Sequence, residues 1–243
     1  MINRPEVIHT FNSVTELLVS VATDLQKLSE HTNPSHIALS GGSTPKQLFK
    51  FLANSAFSDS IHWHTLHFWW GDERCVPVAH EESNYGVAAQ LLFEHITIPA
   101  KNIHRIRGEA DTEKESQRYA LEIEQTLPEQ ARRPCFDWVI LGVGEDGHTA
   151  SLFPNQTDYQ TELSCIVAIH PQSQQKRISI SAPVINNAKR VSYLALGSSK
   201  QKIVADILSS HDKCSPAAKI RSTKGLTEWY LDKPAAALFE HND

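Results

Sequence analysis

The residues best suited to chemistry in this chain are Asp146 and His148, a carboxylate and an imidazole two positions apart in a glycine-rich turn. The turn follows an apolar run at 136–141 that has the composition of a buried strand. Titratable side chains at the end of such a strand are typical of active sites in α/β proteins. Because imidazole titrates near neutral pH, His148 is a candidate general base and Asp146 is a candidate partner for it.

The same turn also matches a nucleotide-binding pattern, because its glycines at 142–147 have the G-x-G-x-x-G spacing. Two observations disfavour this interpretation. Glu145 and Asp146 would place negative charge beside a bound pyrophosphate. The next apolar run, 165–169, is not followed by the acidic residue that this motif requires. We therefore predict no nicotinamide or flavin cofactor.

A second turn, Gly41-Gly42-Ser43-Thr44, joins a predicted strand to a predicted helix. Free backbone N–H groups at the start of the helix and the two hydroxyl groups could bind a phosphate or receive an oxyanion. The alternative is a tight turn in which a Ser or Thr side chain only caps the helix. Both interpretations fit this segment taken alone.

A third group of polar residues, Asp72, Glu73 and Arg74, follows an aromatic strand at 65–70. A surface turn with a local ion pair would show the same pattern and would add little to stability. Arg74 is nevertheless the first candidate for a bidentate contact to a phosphate group.

These polar groups are carried by a chain in which helical and strand patterns alternate. After an apolar stretch at 7–11, helices are predicted at 14–28, 46–52, 84–93, 111–127, 201–208 and 235–239. Strands are predicted at 36–40, 65–70, 103–106, 136–141, 163–169, 177–181, 191–196 and 226–231, and a polar connector at 128–134. The alternation predicts an α/β fold with a mostly parallel sheet covered on both faces. Because no linker or repeat interrupts it, we expect one domain over residues 1–243.

Composition narrows the classes of partner that this chain can have. A net charge of −5 disfavours general nucleic-acid binding, so an anionic ligand must be held by a local group of Arg and Lys. No apolar run approaches the length of a membrane span, and the N-terminal stretch lacks the pattern of a signal peptide. The four cysteines are scattered without a C-x-x-C pair, which favours a reduced, cytoplasmic setting.

Two further chemistries are disfavoured by spacing. His62, His64 and His67 alternate as residues on one strand face would, but no acidic or thiol partner stands at ligand spacing. We therefore predict no metal site. Ser151 does not lie in a G-x-S-x-G turn and is not predicted to be a nucleophile.

In combination, these segments resemble the signature of the 6-phosphogluconolactonases, within the superfamily that also contains the glucosamine-6-phosphate isomerases and deaminases. The resemblance covers most of the chain in the family's order. It is carried by 40–45, Asp72-Glu73-Arg74 with Ser83-Asn84, 141–154, Arg177-Ile178-Ser179, and Gly197 with Lys200.

The resemblance implies a modified Rossmann-like, three-layer α/β/α fold. It also implies hydrolysis of 6-phospho-D-glucono-1,5-lactone to 6-phosphogluconate in the pentose phosphate pathway, without a metal or an organic cofactor. The implied partner is this small-molecule substrate. We expect a monomer or a small homo-oligomer. The resemblance makes His148 the general base and Asp146 the acidic residue beside it. The implied substrate-binding residues are Gly41, Gly42, Ser43, Thr44, Asp72, Arg74, Arg177 and Lys200.

Two alternative functions are weighed against this interpretation. The deaminase pattern resembles G-x-D-G-H-x-x-F-N-E, in which a glutamate follows the histidine by five residues, whereas Phe153 stands at that position here. A non-catalytic sugar-phosphate sensor would need the cations and no base. It is disfavoured because His148 and Asp146 are both present and no helix-turn-helix segment is visible.

The sequence leaves three details of the site open. Either Lys176 or Arg177 could contact the phosphate, since both stand at the start of the predicted strand. Either Asp146 or Asp72 could orient the imidazole. The segment 154–162 could close over the substrate as a lid.

Overall fold

A computed structural model describes residues 6–54 and 56–240 of the 243-residue chain. Residues 1–5, which begin the stretch used to judge a signal peptide, lie outside the described part. The α-helices are α1 (Val14–Ser29), α2 (Ser43–Ala53), α3 (Phe57–Ser60), α4 (Asn84–Leu91), α5 (Thr112–Thr126), α6 (Ala182–Asn186), α7 (Gln201–Leu208), α8 (Pro216–Lys219) and α9 (Lys233–Glu240). Within the described ranges, none of these helices combines the length and the apolar character needed to cross a membrane.

The strands follow the predicted alternation with the helices. They are β1 (Val7–Phe11), β2 (Ser35–Leu39), β3 (Leu66–Trp70), β4 (Asp72–Arg74), β5 (Ile103–His104), β6 (Glu129–Gln130), β7 (Arg133–Pro134), β8 (Trp138–Leu141), β9 (Cys165–Ile169), β10 (Lys176–Ile180), β11 (Arg190–Ala195) and β12 (Leu226–Asp232). Seven of them form one sheet in the order β1-β12-β11-β8-β2-β3-β5. All neighbouring strands of this sheet are parallel, which confirms the predicted α/β class.

The strand order places a switch in direction at the centre of the sheet. Strands β2 and β8 are neighbours there, and the chain leaves them toward opposite edges. From β2 it continues through β3 to β5, whereas from β8 it continues through β11 to β12. At such a switch point, α/β proteins have a crevice beyond the carboxyl ends of the two strands. The turn after β2 and the turn after β8 are the two that carry predicted site residues.

Burial follows the apolar pattern of the chain. All residues of β2 and β8 are buried, as expected for strands covered on both faces. Helix α1 begins where the Ser13 hydroxyl accepts the backbone N–H of Glu16, and its residues at three- and four-residue spacing are buried. These are Leu17, Leu18, Val21 and Leu25.

A second, antiparallel sheet in the order β4-β10-β9 was not predicted. Gly71 joins it to the main sheet, because its N–H donates to the Leu39 carbonyl and its own carbonyl accepts from Ile180. The alternation at 177–181 predicted a half-buried strand, and this was wrong. All of β10 except Lys176 is buried, since helix α5 packs against β9 and β10.

Other differences concern the ends of elements. Helix α2 begins at Ser43, three residues earlier than predicted, and α4 ends at Leu91. The polar connector contains a short hairpin, β6 and β7, instead of continuous loop. Its two turn residues, Ala131 and Arg132, both have positive φ, as a type I′ turn requires, and neither is the glycine or asparagine that signals such a turn.

Three histidines on neighbouring strands of the main sheet form a partly buried row. His67 Nδ1 lies 2.9 Å from His104 Nε2, and the rings of His36 and His67 are 4.9 Å apart. The Trp69 indole N–H donates to His36 Nδ1 at 3.1 Å, so this atom must be unprotonated. Among the described residues, no group of three His, Cys, Asp or Glu side chains is arranged to hold a metal ion.

We expect the free energy of unfolding to fall as the pH falls from 6.5 toward 4. Burial lowers the pKa of His36 and of His67 to about 4, whereas both protonate near 6.5 in the unfolded chain. The unfolded state therefore binds more protons across this window, and stability is lost there. For His36 the loss amounts to at most about 3 kcal/mol.

Urea unfolding at pH 7, 5.5 and 4.5 measures this effect. The variant His36→Gln should lose less stability across the series than the wild type does. The variant His62→Gln, which changes an exposed histidine, should follow the wild type. An identical pH dependence in all three proteins would show that His36 does not contribute.

Candidate active site

A cavity of about 200 Å³ lies beyond the carboxyl ends of β2 and β8, at the switch point. Every predicted site residue except Asp146 lines it. Sequence reasoning missed eight others, although all but Leu194 lie in segments that it had already singled out. The lining residues are Ser40, Gly41, Gly42, Ser43, Thr44, Pro45, Asp72, Arg74, Gly142, Val143, Gly144, His148, Thr149, Ala150, Arg177, Leu194 and Lys200.

Asp146 lies beside His148 and orients its ring. One oxygen, Oδ1, is 2.6 Å from His148 Nδ1 and accepts the backbone N–H of the same histidine at 3.1 Å. Burial raises the pKa of Asp146, but these two hydrogen bonds outweigh it and hold the pKa below its usual value. An ionised Asp146 keeps the ring proton on Nδ1, which leaves Nε2 as the basic atom.

Asp72 has different partners, although it also lines the cavity. Its Oδ2 accepts the Ser151 hydroxyl at 2.6 Å and lies 4.0 Å from an Arg177 nitrogen. The sequence did not decide whether Asp146 or Asp72 contacts the imidazole. In the structure, Asp146 is the one in contact with it. The contact with Asp72 also gives Ser151 a structural partner, because its hydroxyl is buried and donates to a carboxylate.

Two arginines face each other across the antiparallel pair of β4 and β10. Arg74 and Arg177 are direct cross-strand partners, an arrangement of like charges that destabilises a sheet unless an anion lies between them. Burial lowers the pKa of Arg177 below its usual value, and its side chain is 9% exposed. The Nε atom of each arginine is buried without a hydrogen-bond partner in the part of the chain that is described.

Lys200 is the third cation at the cavity. It ends a 3₁₀ helix, Ser198–Lys200, that follows β11, on the β8 side of the switch point. Lys176 is exposed and does not line the cavity, so the geometry favours Arg177 as the phosphate contact of the two. The three cations are far apart in sequence, and the fold brings them to one cavity.

The glycine turn after β2 supplies uncharged donors. Gly42 has a φ of 105°, a left-handed conformation that favours glycine. Helix α2 starts at the next residue, and the first N–H groups of a helix have no acceptor within it. In the described ranges, no side-chain cap hydrogen bond is present at this start. The capping alternative is therefore not observed, and the turn lies open to the cavity.

The surface-turn interpretation of the Asp72-Glu73-Arg74 segment is wrong. Asp72 is 5% exposed and Glu73 is 2% exposed. Both are covered because β4 pairs with β10 on one side and helix α4 packs against it. The sequence could not indicate this, since a three-residue strand carries too little periodicity to show its burial.

We expect Gly144→Ala to lower kcat by about 10²-fold, because a displacement of about 1 Å at a catalytic group has an effect of this size. A Cβ at this position would lie 2.1 Å from His148 Nδ1 and 2.5 Å from Asp146 Oδ1, so the imidazole must move. Steady-state kinetics with the phosphorylated lactone that the family resemblance implies measure the change. Gly71→Ala is the matched control, because its nearest contacts would be ordinary ones at 3.5 and 4.0 Å. Equal kcat values for the two variants would contradict the expectation.

Comparison with known proteins finds similar sequences over most of the chain. A family model described as glucosamine-6-phosphate isomerases/6-phosphogluconolactonase matches residues 10–229. A 6-phosphogluconolactonase of Haemophilus influenzae is 48% identical over 231 residues, which cover 94% of this chain and 98% of that protein. The human GDH/6PGL endoplasmic bifunctional protein is 36% identical over 90% of this chain and 29% of its own length.

Solved structures show the same fold. The crystal structure of devB protein is 50% identical, with a TM-score of 0.93 over 96% of this chain and 99% of that one. The 6-phosphogluconolactonase of Trypanosoma brucei is 27% identical, with a TM-score of 0.84 over 96% of this chain and 98% of that one. A monomeric glucosamine-6-phosphate deaminase, at 19% identity and a TM-score of 0.81 over 96% of this chain and 99% of that one, shares the fold. The fold is thus common to both activities, and the site residues must distinguish them.

Proposed function

The chain belongs to the family of glucosamine-6-phosphate isomerases and 6-phosphogluconolactonases, and we propose that it hydrolyses 6-phospho-D-glucono-1,5-lactone to 6-phospho-D-gluconate. The observation that carries the proposal is the presence of one oriented histidine and three cations at the same cavity. The cations suit a phosphate and the histidine suits the activation of water. The 6-phosphogluconolactonase of Haemophilus influenzae, at 48% identity, supports the choice of substrate.

Phosphate binding fixes the substrate before any bond changes. A phosphate monoester carries about −1.5 to −2 charges near neutral pH. Placed between Arg74 and Arg177, with Lys200 on the other side, it relieves the repulsion of the cross-strand pair and accepts charge-assisted hydrogen bonds from the guanidinium groups. The lactone carbonyl is then held at a constant position relative to His148, which lowers the entropic cost of the reaction.

Hydrolysis requires one base, donors for an oxyanion, and a proton for the leaving group. Nε2 of His148 takes a proton from water as the water oxygen bonds to the lactone carbonyl carbon. The carbonyl oxygen becomes an oxyanion, for which the open N–H groups of the Gly42–Ser43 turn are the donors. When the bond to the ring oxygen breaks, the imidazolium returns its proton to that oxygen. Asp146 stabilises the imidazolium between the two steps.

Phe153 disfavours the deaminase alternative. It occupies the position at which the deaminase pattern has a glutamate, and it is 2% exposed. Its ring lies 5.3 Å from the ring of His148, and the guanidinium of Arg177 lies 5.9 Å from its centroid. An apolar ring between the base and a cation cannot supply the carboxylate that ring opening of an amino sugar needs.

The proposal is tested with freshly generated 6-phosphogluconolactone. Its disappearance is followed by the release of acid, with and without the protein, and corrected for spontaneous hydrolysis. Clear acceleration at catalytic protein concentration is the expected result. If the lactone rate stays at background while glucosamine 6-phosphate is turned over, the protein is a deaminase. Binding of sugar phosphates without turnover of either would indicate the sensor.

A further inference from the structure

Glu73 is a buried carboxylate that the proposed reaction does not use. Its oxygens accept the backbone N–H groups of Arg74, Asn84 and Tyr85, each at 2.8 Å. The Ser83 hydroxyl donates to it at 3.3 Å. Burial raises the pKa of Glu73 to about 7, and the three backbone hydrogen bonds act against this rise by stabilising the ionised form. All four donors suit a carboxylate, which only accepts hydrogen bonds.

The side chain of Glu73 points away from the cavity. In a strand, successive side chains point to opposite faces, and the two neighbours of Glu73 in β4 both line the cavity. Its carboxylate instead meets the first turn of helix α4, where free N–H groups and the helix dipole favour an anion. The Glu73 side chain therefore links β4 to the start of α4. Segment 75–83 forms a loop between these two points.

The loop 75–83 supplies a hydrogen-bond acceptor for the Arg74 guanidinium. The guanidinium Nη1 of Arg74 donates to the backbone carbonyl of Glu82 at 3.0 Å. Glu82 immediately precedes Ser83, which the Glu73 carboxylate holds. The position of the Arg74 guanidinium therefore depends on the position of the start of α4, and so on Glu73.

The start of α4 also contacts the glycine turn. The Asn84 side-chain amide donates to the backbone carbonyl of Asp72 at 2.9 Å. The same side chain packs so closely on the turn that a Cβ at Gly41 would lie 1.8 Å from its Oδ1. Asn84, whose backbone N–H donates to Glu73, thus packs directly against the glycine turn.

We propose that Glu73 is a positioning residue for phosphate recognition, which places the Arg74 guanidinium and the glycine turn through the start of helix α4. The inference rests on the proposed function for the identity of the substrate. Electrostatics alone predicts the opposite effect, because removing a negative charge near a phosphate site strengthens phosphate binding. The direction of the change in KM therefore separates the two explanations.

Glu73→Gln tests this role, because it keeps the shape and removes the charge. The glutamine amide group places N–H donors where the backbone N–H groups need an acceptor. We expect KM for the lactone to rise by about tenfold and kcat to change by less than about threefold, since ground-state binding is lost while His148 is undisturbed. With inorganic phosphate as the probe, the concentration needed to produce a given rise in melting temperature should increase by a similar factor.

Two further variants keep the test decisive. Glu81→Gln removes an exposed carboxylate from the same segment, and its KM should stay unchanged or fall. Ser83→Ala removes the hydroxyl donor and the cap of α4, a loss of about 1 kcal/mol that a folded domain tolerates. Its KM should rise by less than that of Glu73→Gln, and it carries the test if the glutamine variant does not fold.

Results that contradict the positioning role can be told apart from results that contradict the proposed function. An unchanged or lowered KM in Glu73→Gln, or in Ser83→Ala if that variant carries the test, would overturn the positioning role. A fall in kcat with unchanged KM would overturn it as well, because it would indicate a disturbance of His148. If the wild type does not accelerate lactone hydrolysis, the proposed function fails instead. The titration with inorganic phosphate then still reports whether Glu73 affects anion binding.

Discussion

His148→Ala should lower kcat for lactone hydrolysis by about 10²–10⁴-fold, which is the usual contribution of a positioned general base. KM should stay within a few-fold of the wild-type value, because the phosphate contacts that we propose do not involve the imidazole. The Nε2 atom is the basic position of the ring, since Asp146 holds the proton on Nδ1. The measurement is the initial rate of acid release from fresh lactone over a range of concentrations, corrected for spontaneous hydrolysis.

His170→Ala provides the matched control for this loss. The His170 ring lies 5.2 Å from that of Phe153, which in turn contacts His148, but His170 does not line the cavity. Its removal should change kcat by less than about threefold, because no interaction with the reacting atoms is lost. A His148→Ala variant that keeps wild-type kcat would exclude this residue as the base. Retained protection by inorganic phosphate in that variant would show that the cavity is intact.

The clustering of most candidate site residues could be predicted from sequence, because these residues lie in turns after recognisable strands. His148 and Asp146 are two residues apart, so their contact needs only the local turn. The glycine turn after β2 and the histidine turn after β8 meet because these strands are central neighbours in the sheet.

Other features depend on pairings that the pattern does not contain. The second sheet was missed, so the direct pairing of Arg74 with Arg177 could not be foreseen. A surface turn remained an alternative for the segment of Glu73, because the burial of Glu73 depends on a helix that begins eleven residues later. The histidine row similarly arises from the register of β2, β3 and β5, in which His36 pairs with His67. In each case local sequence gives the residue type, and a tertiary pairing gives its environment.

Arg177→Met should lower kcat/KM by about 10²–10³-fold, the equivalent of one or two charge-assisted hydrogen bonds to the phosphate. The same change should leave the melting temperature of the ligand-free protein unchanged or slightly higher. It removes a desolvated charge that faces Arg74 across the sheet, and methionine fills much of the same apolar space. Asp72 loses only a long contact of 4.0 Å and keeps the Ser151 hydroxyl donor at 2.6 Å. A gain in stability with a loss of function is expected where a binding site holds like charges together.

Thermal melts with and without inorganic phosphate separate the two effects of this substitution. Phosphate should raise the melting temperature of the wild type and have little effect on Arg177→Met, because a ligand stabilises only the state that binds it. Lys176→Met is the matched control in the same strand, since its side chain is exposed and does not line the cavity. Its kcat/KM should remain within about threefold of the wild type, the range of a screened surface charge. If Lys176→Met loses activity and phosphate protection while Arg177→Met keeps both, the phosphate contact belongs to Lys176, and the repulsion between the paired arginines must be relieved by Asp72 alone.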